Sequence, residues 1–321
     1  MKNTLRTLVS PRGAVFLLLA ILLVAIIILN PAFAEPGQFM RFLQRVAPVA
    51  IIAIGQYFVI VAGEFDLSQG SLITAQVVIA GNLVGQDDSR TIPVMLLMFV
   101  FGAVIGLING LITTLLKVPS FIVTLGMMLA LLGGILWWTG GAATGNPADS
   151  FRNIGRGGLR DVPLLDFVPW SVLVLAGWLA LAIWITKRPL GKQMIAVGDN
   201  PVAARFAGVR TWWVTTQSFI ISSLSVTVAG ILLVGYAGVH PSVGRGYEFI
   251  AITAVVRRLA AALPEGLLEV VHGDAETGEA LVGHPLVRKV AFTGGDVVAR
   301  AIAATAATQI TPTVMELGGN D

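Results

Sequence analysis

Residues Thr91–Leu116 read TIPVMLLMFVFGAVIGLINGLITTLL, 26 residues without one charged side chain. A helix needs ~20 predominantly apolar residues to cross a hydrocarbon core. Six more charge-free windows accompany this one. They are Gly13–Ala34, Val46–Gly63, Leu67–Gln86, Val118–Ala148, Phe167–Thr186 and Thr211–Gly244, each of 18 residues or longer. One such window could be a buried helix or a signal sequence. Seven in succession cannot be packed into a water-soluble core of this size. Lipid offers no hydrogen bonds to the backbone, so spanning segments are helices or a closed barrel. The runs are continuously apolar rather than alternating, which selects helices over barrel strands. The sequence therefore predicts an all-α polytopic membrane protein with about seven transmembrane helices.

Composition agrees. The chain has 321 residues, of which 12% are charged and 55% hydrophobic, and its mean hydropathy is +0.83. Ordinary soluble domains carry about 25% charge. A net charge of +3, scattered along the chain, does not make a nucleic-acid-binding surface. There is no cysteine, which excludes a disulfide scaffold and a thiol nucleophile, and no metal site is indicated. The average hides a split. Residues 1–256 hold 16 Lys+Arg and 10 Asp+Glu, whereas residues 257–321 hold 5 and 8, twice the charge density. The change at Val256/Arg257 predicts two regions in two solvents: a membrane domain, 1–256, and a short α/β fragment of βαβαβ pattern, 257–321.

Orientation follows the Lys/Arg bias. Lys2, Arg6 and Arg12 precede the first window without an acid. The loop Lys187–Arg210 holds Lys187, Arg188, Lys192, Arg205 and Arg210 against Asp199 alone. Both segments fall on the cytoplasmic side if the N-terminus does. Ala32-Phe33-Ala34 could alternatively end a cleaved signal sequence, which would leave the other spans oriented as before.

Three features point to chemistry or partners. Gly102, Gly106 and Gly110, at four-residue spacing, remove side chains from one helical stripe and favour close helix packing over a substrate path. Glu64, Asp66 and Ser68 lie in Gly63–Ser71, between two apolar runs. Acids bordering hydrocarbon mark a surface turn or a translocation and gating site, and so short a connection implies a tight turn or a broken helix. Third, Asn200-Pro201 opens the run to Phe206-Ala207-Gly208 as an Asx cap, a first-turn proline and a terminal glycine would. This short helix, with Val202 and Phe206 at i, i+4, lies on the lipid surface or is a docking knob for a soluble partner. No phosphate-binding Gly-rich loop ending in Lys-Ser/Thr is present, so if transport here is ATP-driven, another subunit must hydrolyse the ATP.

These segments carry a resemblance. Gly63–Ser71, Lys117–Gly126, Arg188–Gly208 and Gly246–Val256 are collinear with segments of the permease subunits of ribose/monosaccharide-type ATP-binding cassette importers of bacteria, and residues 1–256 resemble that family. The resemblance implies a multi-pass inner-membrane subunit that binds no cofactor directly and forms the sugar path. It implies as partners a second permease copy and the lipid bilayer, cassette ATPase subunits at the cytoplasmic face and a periplasmic sugar-binding protein. It makes Gly191, Asp199, Asn200, Pro201, Ala204, Arg205 and Gly208 the ATPase-coupling segment. After Val256 the family continues into further membrane helices, where this chain runs into Arg257-Arg258.

The tail reads as strand Leu267–Val271, helix Glu276–Val282, strand Val290–Thr293, helix Asp296–Ala307 and strand Thr313–Glu316. It resembles an internal slice of the aldehyde dehydrogenase superfamily in Leu263–Gly273, Phe292–Gly295 and Glu316–Gly319. That likeness makes Gly294 and Gly295 the cofactor turn and Glu316 the general-base position. The family's chemistry starts from a cysteine thiolate, which this chain lacks, so no dehydrogenase activity is expected. With seven spans the tail would also emerge on the outer face, away from a nicotinamide cofactor. Two alternatives stand beside the importer permease: an NAD(P)-dependent dehydrogenase fragment on a membrane anchor, and a non-functional fusion of two partial genes. On the permease reading, loss of about three helices means that the chain by itself is not expected to support sugar uptake.

Overall fold

The computed structural model describes residues 24–142, 145–240, 242–247, 249–250, 252 and 274–317. The basic N-terminal arm, the junction at Val256/Arg257 and the expected strand Leu267–Val271 lie outside them. The chain divides into two compact units, Met1–Ala262 and Leu263–Asp321.

The first unit is helical. Its main elements are α1 (Pro36–Val61), α2 (Gln69–Val84), α3 (Thr91–Leu115), α4 (Ser120–Thr139) and a short α5 (Asp149–Arg156). An antiparallel hairpin of β1 (Gly158–Val162) and β2 (Asp166–Pro169) leads to α6 (Trp170–Lys187). Then come α7 (Pro189–Asp199), α8 (Pro201–Phe206) and α9 (Thr211–Ala237). Six of the seven windows are thus each occupied by one helix, although α1 starts ten residues before its window and takes in Arg41 and Arg45. Five of these helices, α1, α3, α4, α6 and α9, are long and apolar enough to cross a membrane. The sixth, α2, has 16 residues, because residues 62–68 leave the helical path before it starts. Of the first window, residues 24–29 are helical and residues 13–23 lie outside the described set.

Helix α9 is the hub. It packs against α1, α2, α3 and α5, and its core partners include Ile51, Ile52, Leu72, Ile73, Val77 and Met98. The glycine stripe of α3 faces it. A Cβ on Gly106 would stand 2.7 Å from the Ile220 Cα, and one on Gly110 would stand 2.6 Å from the Thr216 Cα. The two backbones therefore approach as closely as small residues in a membrane allow. Three hydroxyls of α9 are satisfied by its own backbone: Thr216, Ser225 and Thr227 each donate to the carbonyl four residues earlier.

Helix ends sort into two faces. One face collects Gly63, Thr114, Gly198 and Arg205 around a single small cavity. At the other, Gln44 donates to the Gly155 carbonyl, Gln86 to the Asn146 carbonyl, and Ser150 N–H to Asp88. This is the alternation an up-and-down chain requires. The basic segment 187–210 lies on the first face, which is therefore cytoplasmic.

The second unit contains α10 (Ala275–Val282), β3 (Val290–Gly294), α11 (Asp296–Thr308) and β4 (Thr313–Leu317). Asp274 caps α10 by accepting from Thr277 N–H. β3 and β4 pair in parallel, with Val290 opposite Thr313 and Thr293 opposite Glu316. Its described core is small: Val282, Ala299 and Ala306 are buried, while Leu286, Val297, Val298 and Ile310 are exposed.

Candidate functional site

The break between α1 and α2 builds a buried polar network. Asp66 is 1% exposed, and Ser68, Gln69, Asn109 and Ser222 are fully buried. One carboxylate oxygen of Asp66 accepts from the Ser68 N–H at 3.0 Å and the Ser68 hydroxyl at 2.6 Å. The other accepts from the Ser222 hydroxyl at 2.8 Å. Each hydroxyl in turn accepts from a side-chain amide: Ser68 from Asn109 at 3.0 Å and Ser222 from Gln69 at 2.8 Å. Asn109 lies about 9 Å inside the end of α3, and Ser222 about 16 Å inside the start of α9. The network is thus well within the helical bundle. No cation pairs with Asp66 among the described residues. Three hydroxyl and amide donors and the N-terminal end of α2 supply the compensating positive charge instead.

The N-terminus of α4 clamps the same segment. Ser120 Oγ accepts from Phe65 N–H and Thr124 Oγ1 from Leu67 N–H, both at 3.1 Å. These two hydroxyls replace the backbone bonds that residues 65–67 forgo by leaving the helix. The carbonyl oxygens of Gln69 and Asn109 and the hydroxyl of Thr113 find no partner among the described residues. Gln69 and Asn109 thus each spend their amide N–H on the network while their oxygens stay without a donor.

Glu64 stands apart from Asp66, at the cytoplasmic mouth. It lines a cavity of about 240 Å³ together with Gly63, Gly198, Pro201, Arg205 and Trp212. Burial pushes its carboxyl above the ordinary carboxylate range, and a hydrogen bond with Ser120 offsets part of that. The cavity joins two sets of residues that are distant in sequence: the start of the broken segment and the loop before α9. The contact between them is backbone on backbone. Gly63, at φ +86°, would place a Cβ 3.3 Å from the Gly198 Cα, and a Cβ on Gly198 would run into the Val61 carbonyl. Helix α7 therefore ends directly on the linker that carries Asp66.

Beyond that contact, the chain turns into α8. Asn200 Oδ1 accepts from Val202 N–H at 3.1 Å and Ala203 N–H at 2.9 Å, and Pro201 occupies the first turn. Gly208, at φ +84°, ends the segment in the left-handed region. Gly191 and Ala204 are buried; Asp199, Asn200 and Arg205 are exposed. Val202 is 62% and Phe206 90% exposed. Ala204 turns inward against the cluster of Phe58, Met194, Val197 and Val214. The short helix is thus anchored by one face and presents an apolar pair, one turn apart, on the other.

In the tail, β3 leads through Gly294 and Gly295 into α11, with Gly295 as its N-cap residue. The register sets Glu316 opposite Thr293, so the glycine turn and this carboxylate, the expected general base, lie on neighbouring strands. Sequence reasoning missed Gln69, Asn109, Ser120, Thr124 and Ser222 as partners of the broken segment. Their signal was present: each is a polar residue inside an uncharged window.

A bundle of membrane-crossing helices, broken at a buried polar network and bearing a capped knob on its cytoplasmic face, defines a multi-pass permease. Comparison with known proteins supplies the particular family. The chain belongs to the family described as branched-chain amino acid transport system / permease component, whose model matches residues 38–257. It is 35% identical over 245 residues to the ribose import permease protein RbsC of Bacillus subtilis, covering 75% of this chain and 74% of that one. It is 31% identical over 258 residues to RbsC of Haemophilus influenzae, covering 78% and 77%. With the galactose/methyl galactoside import permease protein MglC of Haemophilus influenzae, identity is 29% over 262 residues, covering 76% and 77%. The chain is accordingly a multi-pass protein of the bacterial inner membrane. Residues 241–321 match the aldehyde dehydrogenase family, so the tail is a fragment similar to that family. No solved structure matches the chain.

Proposed function

We propose that this chain is the permease subunit of an ATP-driven importer of a ribose-like monosaccharide. The observation that carries the reading is the similarity to ribose import permeases along three quarters of the chain. Geometry supports it at two places. Val202 and Phe206 stand out from a helix whose other face is fixed. An exposed apolar pair on a rigid mount suits a groove in a soluble partner, and we assign that partner as a cassette ATPase. Gly191, Asp199, Asn200, Pro201, Ala204, Arg205 and Gly208 shape and mount this coupling element. ATP is bound and hydrolysed by the partner, and the permease itself binds no cofactor.

At the second place, Glu64 and Arg205 line one cavity, and Gly198 abuts Val61. Displacement of α8 would therefore be passed to the segment holding Asp66 and Ser68 without any intervening side chain. In this reading Glu64, Asp66 and Ser68 gate the path. A second copy of the chain completes that path, and a periplasmic binding protein delivers the sugar. The tail, without a cysteine, takes no part as a dehydrogenase, although its likeness to that family would otherwise imply NAD(P).

Co-purification tests the docking step. The ATPase of a ribose importer, expressed with this chain, should be retained on the affinity-tagged permease in detergent. Phe206→Asp puts a charge into the contact and should abolish retention while leaving the gel-filtration profile of the permease unchanged. Retention equal to that of the unsubstituted chain would rule out α8 as the docking element.

A further inference from the structure

A groove of about 670 Å³ runs between α1 and α6. Its walls are Ala50, Ala53 and Ile54 on one side and Leu175, Leu179 and Ile183 on the other. The two alanines, nearly one turn apart, hollow out the α1 wall. The groove changes character at its cytoplasmic end, where Tyr57, Thr186 and Lys187 line it. Arg188 follows at once, its guanidinium 4.9 Å from the centroid of the Trp184 ring. Lys192 lies one turn further along. None of these three cations has a carboxylate partner among the described residues.

We propose that this groove seats one acyl chain of an anionic phospholipid from the inner leaflet, with the lipid phosphate held by Lys187 and Arg188. Length is the first support. From Leu175 to Lys187 the helix rises about 18 Å, and one leaflet of hydrocarbon is about 15 Å deep. The trough therefore runs from near mid-bilayer to the interface, as an acyl chain does. Polarity is the second. The walls offer water no partner until Tyr57 and Thr186, so the trough favours hydrocarbon over solvent. Charge is the third. Lys187 at the end of the trough and Arg188 next to it, neither with a carboxylate partner among the described residues, lie at the depth where Trp184, 55% exposed, marks the interface. The cytoplasmic leaflet supplies the anionic headgroups that such a pair attracts. The inference needs only the spans and their orientation and is independent of the importer reading.

Native mass spectrometry of the purified full chain in neutral detergent tests it. Phosphatidylglycerol and phosphatidylcholine with identical acyl chains are the probes. Phosphatidylglycerol should be retained in preference to phosphatidylcholine. Each surface cation contributes about a fivefold preference, so the double variant Lys187→Gln, Arg188→Gln should cut that retention about twenty-fivefold. Phosphatidylcholine, whose phosphate is neutralised by its own choline, should lose much less. Both substituted positions are exposed, so the fold should be undisturbed. Equal retention of the two lipids by the unsubstituted chain, or undiminished phosphatidylglycerol retention by the variant, would overturn the proposal. A second arm uses the absence of native cysteine. Ala53→Cys, oxidised in membranes, should give no cross-linked dimer. A disulfide-linked dimer would place a second copy in the groove and overturn the lipid assignment.

Discussion

Helices α9 and α6 are both apolar enough to cross a bilayer, yet one is the hub and the other the rim. In the most apolar 18-residue window of α9, 83% of residues are buried inside the protein; in that of α6 the share is 6%. The buried helix is the one richer in small polar residues. Thr215, Thr216, Ser218, Ser222, Ser223, Ser225 and Thr227 of α9 are all buried. The exposed helix carries Leu173, Leu179, Leu181, Ile183 and Trp184 toward its surroundings. Lipid tails are as apolar as leucine, so large aliphatic side chains gain nothing by turning inward. Small residues that let backbones approach, and hydroxyls that need partners, are what draw a span to the centre.

A paired insertion should break this contrast most visibly. Gly106→Leu would drive a side chain into the α9 backbone beside Ile220, where no space exists. Overpacking of this kind costs ~1–3 kcal/mol or more, and the monodisperse gel-filtration peak should be lost. Gly177→Leu on α6 meets nothing within 4 Å, and its peak should persist. A smaller effect should follow from removing single hydroxyls. Ser222→Ala takes away one donor to Asp66 and the acceptor for Gln69, for an expected loss of about 1–3 kcal/mol. Thr186→Ala on α6 removes only a bond to the Ala182 carbonyl of its own helix. That change should stay within about 0.5 kcal/mol. Thermal unfolding of the two variants in the same detergent checks both, and equal losses would contradict the hub-and-rim distinction.

Most of the fold was legible in the sequence, for reasons that differ by region. Uncharged runs such as Thr91–Leu116 announce spans because lipid excludes charge and exposed backbone alike. In the tail, the expected helices Glu276–Val282 and Asp296–Ala307 lie within α10 and α11. Strands Val290–Thr293 and Thr313–Glu316 lie within β3 and β4. There the caps and the alternation of apolar runs are local signals. The cap at Asn200 was equally local. What stayed hidden was long-range. The pairings of Asp66 with Ser222 and of Gln76 with Thr227 join residues more than 150 positions apart. No periodicity encodes which serine meets which carboxylate. The hairpin β1–β2 was missed because its strands are short and charged. Helix α7 was hidden within a segment read as a basic loop.

The account turns on α8 being a cytoplasmic knob rather than a surface turn on the outer side. The cysteine-free chain allows a direct test with single cysteines and a membrane-impermeant maleimide. Phe206→Cys should be labelled in inside-out vesicles and not in spheroplasts, and added cassette ATPase should protect it. Asp161→Cys, in the hairpin on the opposite face, should label in spheroplasts alone. Labelling of Phe206→Cys from the outside would contradict the orientation and, with it, the assignment of α8 as the site where an ATPase docks.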